Sequence, residues 1–342
     1  MRRLSRHALF WPLATLALLL VLNSCFNPAF LALSWRDGHL YGHLIDILKN
    51  AAPLMVVALG MTLVIAVRGL DISVGAVVAI AAAVATLLTG GSFNAGGEVA
   101  SEHPLWLALG AALLVAAACG LWNGVLVVKA GMQPIVATLI LMVAGRGIAQ
   151  LLTGGQIITV YYPPFFAIGS GFLAGLPIAL WIAAGLWGVL HLALSRSALG
   201  LFIRAIGGNP EAARVAGVRS AAITLCVYTF CGLAAGVAGL IVSSNVKSAD
   251  ANNAGQLFEL DAILAVTLGG TALTGGRFTL AGTVVGALII QTLTSTIYSL
   301  GVPPEVNLVV KAALVFAVML LQSAEFRSLF TRRAAADPGA PR

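Results

Sequence analysis

The sequence predicts an all-α integral membrane protein of about ten transmembrane helices, some broken or re-entrant, with a short docking helix on the cytoplasmic side. Three observations predict it. The chain is 60% hydrophobic and 9% charged, against about 25% charged in a soluble domain, and its mean hydropathy is +1.00. Apolar runs repeatedly approach the roughly 20 residues needed to cross a bilayer. Arginines and lysines fall between those runs, the arrangement that orients a membrane protein. The net charge of +7 therefore reads as topology, with no nucleic-acid partner.

The spans are expected over 8–26, 50–67, 70–90, 104–128, 134–152, 176–195, 221–243, 260–274, 278–299 and 306–323. The first run follows Arg2, Arg3 and Arg6, a pattern that also opens secretory signals. Leu22-Asn23-Ser24-Cys25 loosely resembles a lipoprotein cleavage site. Asn23 fits such a site poorly, and with so many later spans the run reads as a first membrane helix. With the N-terminus inside, 14 of 19 basic residues lie on the cytoplasmic side. They include Arg68, Lys129, Arg277 and the four arginines of 196–220. Arg36, Lys49 and Lys247 fall at outer edges, whereas Arg146 and Lys311 fall within spans. The outer stretch 91–103 carries Glu98 and Glu102 and no basic residue, and 153–175 is uncharged. Both termini are thus cytoplasmic, and eight or nine spans result if a short segment is re-entrant. The domain reading is a cytoplasmic N-terminus 1–7, one transmembrane unit 8–325, and a polar, proline-containing tail 326–342 that reads as disordered. The stretch 153–175, rich in Gly, Pro and aromatics, is expected to cover the outer mouth.

The segment 196–220 is the long polar interruption of the chain. It holds Arg196, Arg204, Arg214 and Arg219 against one acid, Glu211. A Gly-Gly-Asn-Pro turn precedes a short helix expected over 211–216, a rigid knob on which a cytoplasmic motor could grip. An internal repeat is also visible. The stretch 69–79 can be laid on 276–286, each reading Gly, five residues, Gly, one residue, Val-Val, then a small residue. Repeated halves with interrupted apolar segments point to a transport pathway between them.

No enzyme signature is present. There is no phosphate-cradling Gly-x4-Gly-Lys-Ser/Thr loop, and no Cys-x-x-Cys pair among Cys25, Cys119, Cys226 and Cys231, which read as small hydrophobes. His39, His43 and Asp46 read as solvated interface residues rather than a metal site. A solitary carrier or channel would want a relay of buried acids, and a membrane enzyme a cluster of His, Asp or Glu at one depth; neither pattern appears.

Ionisable groups at membrane depth are costly and usually functional. Asp71 either caps a helix at a break or gates. Arg146, between two glycines, must face protein or a polar cavity. Asn123, Gln150 and Gln291 either touch a hydroxyl-rich solute or bridge helices. Asp250 reads as an ordinary loop residue, whereas Asn252, Asn253 and Asp261 carry groups that suit sugar hydroxyls as well as a loop or a helix cap. Gly232, Gly236 and Gly239 read as close-packing positions.

Two stretches together resemble the permeases of ribose-type monosaccharide ABC importers: Gly60-Met61-Thr62-Leu63-Val64-Ile65 leading into Gly69-Leu70-Asp71-Ile72-Ser73-Val74-Gly75, and Glu259-Leu260-Asp261-Ala262-Ile263-Leu264-Ala265-Val266 leading into Leu268-Gly269-Gly270-Thr271. The likeness covers about residues 10 to 325. Within that family, Leu121-Trp122-Asn123-Gly124, the run from Ala137 to Gly147, and Ala249-Asp250-Ala251-Asn252-Asn253-Ala254-Gly255 are similar to the galactofuranose branch.

The resemblance implies an inner-membrane permease that does no covalent chemistry and binds no cofactor. It would pair with a second permease, as a homodimer or a heterodimer. A cytoplasmic ABC ATPase would use ATP and magnesium, and a periplasmic protein would deliver the sugar. Glu211-Ala212-Ala213, with Gly217 four residues beyond Ala213, resembles an abbreviated form of the coupling motif of such permeases, and Arg204 lies in the same segment. Asp71, Asn123, Arg146, Asn252, Asn253 and Asp261 are the candidates for the pathway. Ribose or another pentose or hexose is the alternative cargo, and a stand-alone carrier or channel the alternative class.

Overall fold

The computed structural model describes residues 9–26, 30–36, 38–90, 92–93, 99–100, 103–301 and, discontinuously, helical positions between 306 and 320. Most of the expected tenth span, the termini 1–7 and 326–342, Glu98 and Glu102 lie outside the described residues.

The helices are α1 (Phe10–Phe26), α2 (His43–Ala66), α3 (Val74–Thr89), α4 (Leu105–Val128), α5 (Pro134–Leu152), α6 (Pro163–Ser170), α7 (Ile178–Arg196), α8 (Leu199–Gly208), α9 (Pro210–Val215), α10 (Ser220–Val246), α11 (Phe258–Leu268) and α12 (Leu280–Ser299). Six of these, α2, α4, α5, α7, α10 and α12, are long and apolar enough to cross a membrane. Helices α1 and α3 are shorter apolar helices of 17 and 16 residues.

Burial sorts them into a centre and a shell. Helix α2 is buried without a break from Ala51 to Ala66, and α3 nearly so. Helix α10 packs on α4, α2 and α3; α5 lies on α3, α7 on α2, and α12 on α2, α11 and α1. Small residues set these distances. In α4 the buried positions are Ala108, Ala112, Ala116, Gly120, Asn123 and Gly124, a stripe at helical spacing. It lets Gly120 meet the backbone of Gly232 in α10. A bilayer offers no hydrophobic drive between helices, so such close backbone packing supplies much of the cohesion.

The tightest approach joins α11 and α12. A Cβ on Gly286 would fall on the carbonyl oxygen of Ala265, which is backbone and cannot swing aside. Gly286→Val is expected to destabilise the chain by about 3 kcal/mol, read as a lower melting temperature in detergent. Gly185→Ala, where an added Cβ meets nothing within 4 Å, is the matched control and should melt as the parent does.

Three sequence expectations change. The span expected at 260–274 is the 11-residue helix α11, roughly 16 Å long and about half a bilayer core; Gly269 and Gly270 end it. The stretch 153–175 contains α6, with Phe165 fully buried. It is tied to α10 through Ser244, whose Oγ donates to Phe165 O (2.6 Å) and accepts from Gly169 N–H (2.7 Å). The segment 196–220 contains a second helix, α8, which buries Ile203 and Ile206 and exposes Leu201 and Arg204.

The second copy of the repeat noted in the sequence packs on α2, just before the first copy begins. Both copies are turns that end one helix and open another, α2 to α3 and α11 to α12. Gly276 N–H donates to Ala66 O at 3.0 Å, and the hydroxyls of Thr62 and Thr283 meet at 2.7 Å inside the bundle.

Candidate functional site

At the α2–α3 break, Asp71 is 2% exposed and Asn123 fully buried. Asp71 Oδ1 accepts from Ser73 N–H (3.0 Å) and from Ser73 Oγ–H (2.6 Å). Asn123 Nδ2 donates to Ser73 Oγ (2.8 Å) and, more weakly, to Asp71 Oδ1 (3.4 Å). Thr138 Oγ1 accepts from Ile72 N–H at 3.2 Å, and the Tyr228 hydroxyl donates to Leu70 O at 3.4 Å. The carboxylate thus fixes Ser73, immediately before α3, through its N–H and its hydroxyl, while α3 itself receives no side-chain cap bond. Asp71 braces this residue from inside the bundle. Ser73, Thr138 and Tyr228, which complete this shell, are not singled out by the sequence, because a hydroxyl inside an apolar run carries no signal of its own.

A different surface forms where the chain leaves α10. Gly239 of α10 lies against Val78 and Ala82 of α3, yet Gly255, sixteen residues later, lies against Gly75 and Val78. The chain has run past the end of α10 and come back along α3 without helix. Lys247, left-handed at φ 60°, starts the reversal. A two-residue strand β1 (Ile158–Thr159) then pairs antiparallel with β2 (Ser248–Ala249), and turns follow over 251–257. Asp250 organises them: Oδ1 accepts from Asn252 N–H (2.9 Å) and Oδ2 from Asn253 Nδ2 (2.6 Å).

A non-helical backbone beside spanning helices must have its carbonyls satisfied by protein or water. Arg146 does this. Its Nη1 donates to Ala254 O (2.6 Å) and Ala251 O (3.1 Å), with Asn252 O at 3.5 Å. One turn on, Gln150 Nε2 donates to Asn252 Oδ1 at 2.6 Å. Ala251 is buried against Ala79, Ile80 and Ala149. Asn252, Asn253 and Gln150 are exposed, and the exposed apolar side chain Val143 lies on the same α5 face as Gln150. The structure therefore brings Arg146, Asn252 and Asn253 together and adds Gln150 and Asp250. It leaves Asp71 and Asn123 in the interior and Asp261 half-buried in the first turn of α11. Glu259, one turn before Ala262, is 5% exposed, and its Oε2 has no hydrogen-bond partner among the described residues.

Residues 43–319 match the family described as branched-chain amino acid transport system / permease component. The chain belongs to this permease family. Among curated relatives, the permease is 48% identical over 93% of its length, and 92% of the relative's, to the galactofuranose transporter permease protein YtfT of Escherichia coli. It is 37% identical, over 96% and 91%, to the fructose import permease protein FruF of Bifidobacterium longum. To the ribose import permease protein RbsC of Haemophilus influenzae it is 33% identical over 89% and 90%. No solved structure matches it.

The segment 196–220 of the permease is held rigidly. Asn209 Oδ1 accepts from the N–H groups of Glu211 and Ala212 (both 3.1 Å), and Pro210 takes the first helical position, where a missing N–H costs nothing. At the other end Gly217 sits at φ 82°. Gly217 N–H donates to Arg214 O and Val218 N–H to Ala213 O, the paired bonds that close a helix on a left-handed residue. Glu211 and Arg214 form an exposed ion pair (3.0 Å); Ala213 is buried. The Arg204 guanidinium lies 5.4 Å from the Phe278 ring centroid. Arg68, read in the sequence only as a topology charge, donates from Nε to Gly207 O (2.7 Å) and from Nη2 to Gly208 O (2.6 Å).

Proposed function

We propose that this permease is the membrane-spanning subunit of an ATP-driven ABC importer in the bacterial inner membrane, carrying a monosaccharide inward, with galactofuranose as cargo. The observation that carries the reading is the 48% identity, over 93% of the chain, with the galactofuranose transporter permease. In this reading residues 8–325 form one transmembrane unit of about ten spans with both termini cytoplasmic. Two permease chains, alike or different, enclose the path. A periplasmic binding protein delivers sugar, and ATP and magnesium act in a separate ATPase, with no cofactor bound by this chain.

The path is lined by a polar strip of half-buried Arg146 with exposed Gln150, Asn252 and Asn253. Polar side chains on a spanning surface need water or a second subunit beside them, and amides offer the paired donors and acceptors that sugar hydroxyls require. Asp71 and Asn123 stiffen the α2–α3 break behind that strip, and Asp261 flanks it on α11. Helix α9 is the coupling helix: Glu211 and Ala212 meet the ATPase, Ala213 seats the helix, Gly217 turns the chain away, and Arg204 braces the segment through Phe278. The fructose and ribose names of two relatives favour a second reading, import of another hexose or pentose.

Reconstitution of the permease pair with its ATPase and binding protein tests both readings. Galactofuranose is expected to stimulate ATP hydrolysis more than ribose or fructose does; stimulation by ribose alone establishes the second reading, and sugar uptake with no ATPase present overturns the class. In the same system Glu211→Lys is expected to insert normally yet bring uptake down to background.

A further inference from the structure

Two cavities between α7 and α12 share Trp187 and Ala281 and so form one crevice. The first, about 370 Å³, is lined by apolar side chains alone, among them Met55, Leu180, Val284 and Leu288. The second, about 280 Å³, is bordered by His191, Ser195, Arg204 and Thr279. Among the described residues no acid lines either one.

Among the described residues the polar half carries a cation, Arg204, and no acid to balance it. Arg204 makes no hydrogen bond or ion pair among the described residues, and its one recorded partner is the Phe278 ring. The indole of Trp187 stacks on His191 at 5.2 Å, and its buried Nε1–H has no acceptor among the described residues. The N-terminus of α12 receives no side-chain cap; the Thr279 hydroxyl donates to Gly269 O. That helix end carries partial positive charge. A guanidinium and a helix N-terminus around one cavity match the oxygens of a phosphate diester. From Ala281 to Leu288 the apolar half continues along α12 for roughly 10 Å. Free phosphate would leave that half unfilled.

We infer that this crevice binds one anionic phospholipid, its phosphate at Arg204 and the N-terminus of α12 and an acyl chain between α7 and α12. The polar end lies beside segment 196–220, whose arginines favour the leaflet facing the cytoplasm.

Native mass spectrometry of the delipidated full chain tests this without any transport assay, so its outcome is independent of the cargo. Dioleoyl phosphatidylglycerol is expected to remain as a single adduct, preferred about fivefold over dioleoyl phosphatidylcholine. Arg204→Gln, at an exposed position, should abolish that preference, and Val284→Trp should weaken both lipids by filling the apolar half; melting temperatures verify that both variants fold. An unchanged preference in Arg204→Gln overturns the proposal. So does inorganic phosphate that raises the melting temperature as much as the lipid does, which would make this a free-phosphate site. Absence of any adduct, with Ala184→Cys shielded from a membrane-permeant maleimide, also overturns it and gives the crevice to protein.

Discussion

Arg146→Leu is expected to abolish sugar uptake and to destabilise the permease by about 3 kcal/mol, because one side chain holds an unwound segment in place. Nη1 of Arg146 serves Ala251 O and Ala254 O at 3.1 and 2.6 Å. Hydrogen bonds from charged donors contribute about 1.5–3 kcal/mol each, and removing the donor leaves carbonyls that leucine cannot satisfy. The loss is not spread over other contacts: Gln150 reaches the Asn252 side chain, not the backbone, and the Asp250 carboxylate accepts rather than donates. Arg146→Lys should recover part of the stability and little of the uptake, since the lysine side chain is one bond shorter and its ammonium falls short of where Nη1 sits between the two carbonyls. The measurements are melting in detergent and uptake in liposomes. Equal melting in parent and Arg146→Leu would refute the support role; lowered melting with full uptake would refute Arg146 as part of the path.

The same residue shows how much was legible beforehand. An arginine inside an apolar run had to find protein or a polar cavity, and that followed from cost alone. Its partners, about a hundred residues away, had no such signature: Asp250 to Gly255 reads as any loop until the chain is seen to turn back along α3. The long spans were legible because length and hydropathy suffice for them. Which face each span buries was not. In a soluble helix the alternation of polar and apolar residues marks the buried side, whereas here Leu59 in the centre of α2 and Leu114 on the outside of α4 look alike in the sequence. The helix at 210–215 was legible from its Asn-Pro start and Gly217 stop. Helix α8 was not expected, although Ile203 and Ile206 give it a buried stripe, because a glycine-bounded ten-residue stretch with an arginine in it resembles a connection. For Asp71 the sequence left cap and gate open, and its partners Ser73 and Asn123 carried no signature there.

Arg68→Gly is expected to separate stability from coupling. Arg68 is left-handed, at φ 64°, at the end of α2. Its N–H donates to Ile65 O and that of Gly69 to Val64 O, the closing pattern in which glycine is usual. A side chain there costs about 1 kcal/mol. That cost is offset by what the guanidinium holds: the carbonyls of Gly207 and Gly208, the last two residues of α8, immediately before the Asn209 cap of α9. The joint has a second layer. A Cβ on Gly207 would fall on Ala66 O and Gly276 N, so the end of α8 lies directly on the contact between the two helix breaks. If α9 is the coupling helix proposed above, Arg68 and this backbone contact are the route by which its motion would reach the turns that open α3 and α12. Glycine at 68 relieves the strain and loses two partly exposed hydrogen bonds, so the net change in stability should stay within about 1 kcal/mol. Coupling should suffer more: sugar uptake per ATP hydrolysed is expected to fall about tenfold, with ATP hydrolysis itself retained. Arg68→Lys, able to reach one carbonyl, should fall between. A glycine variant that transports at full stoichiometry would show that the contact of Gly207 with Ala66 and Gly276 alone transmits the motion.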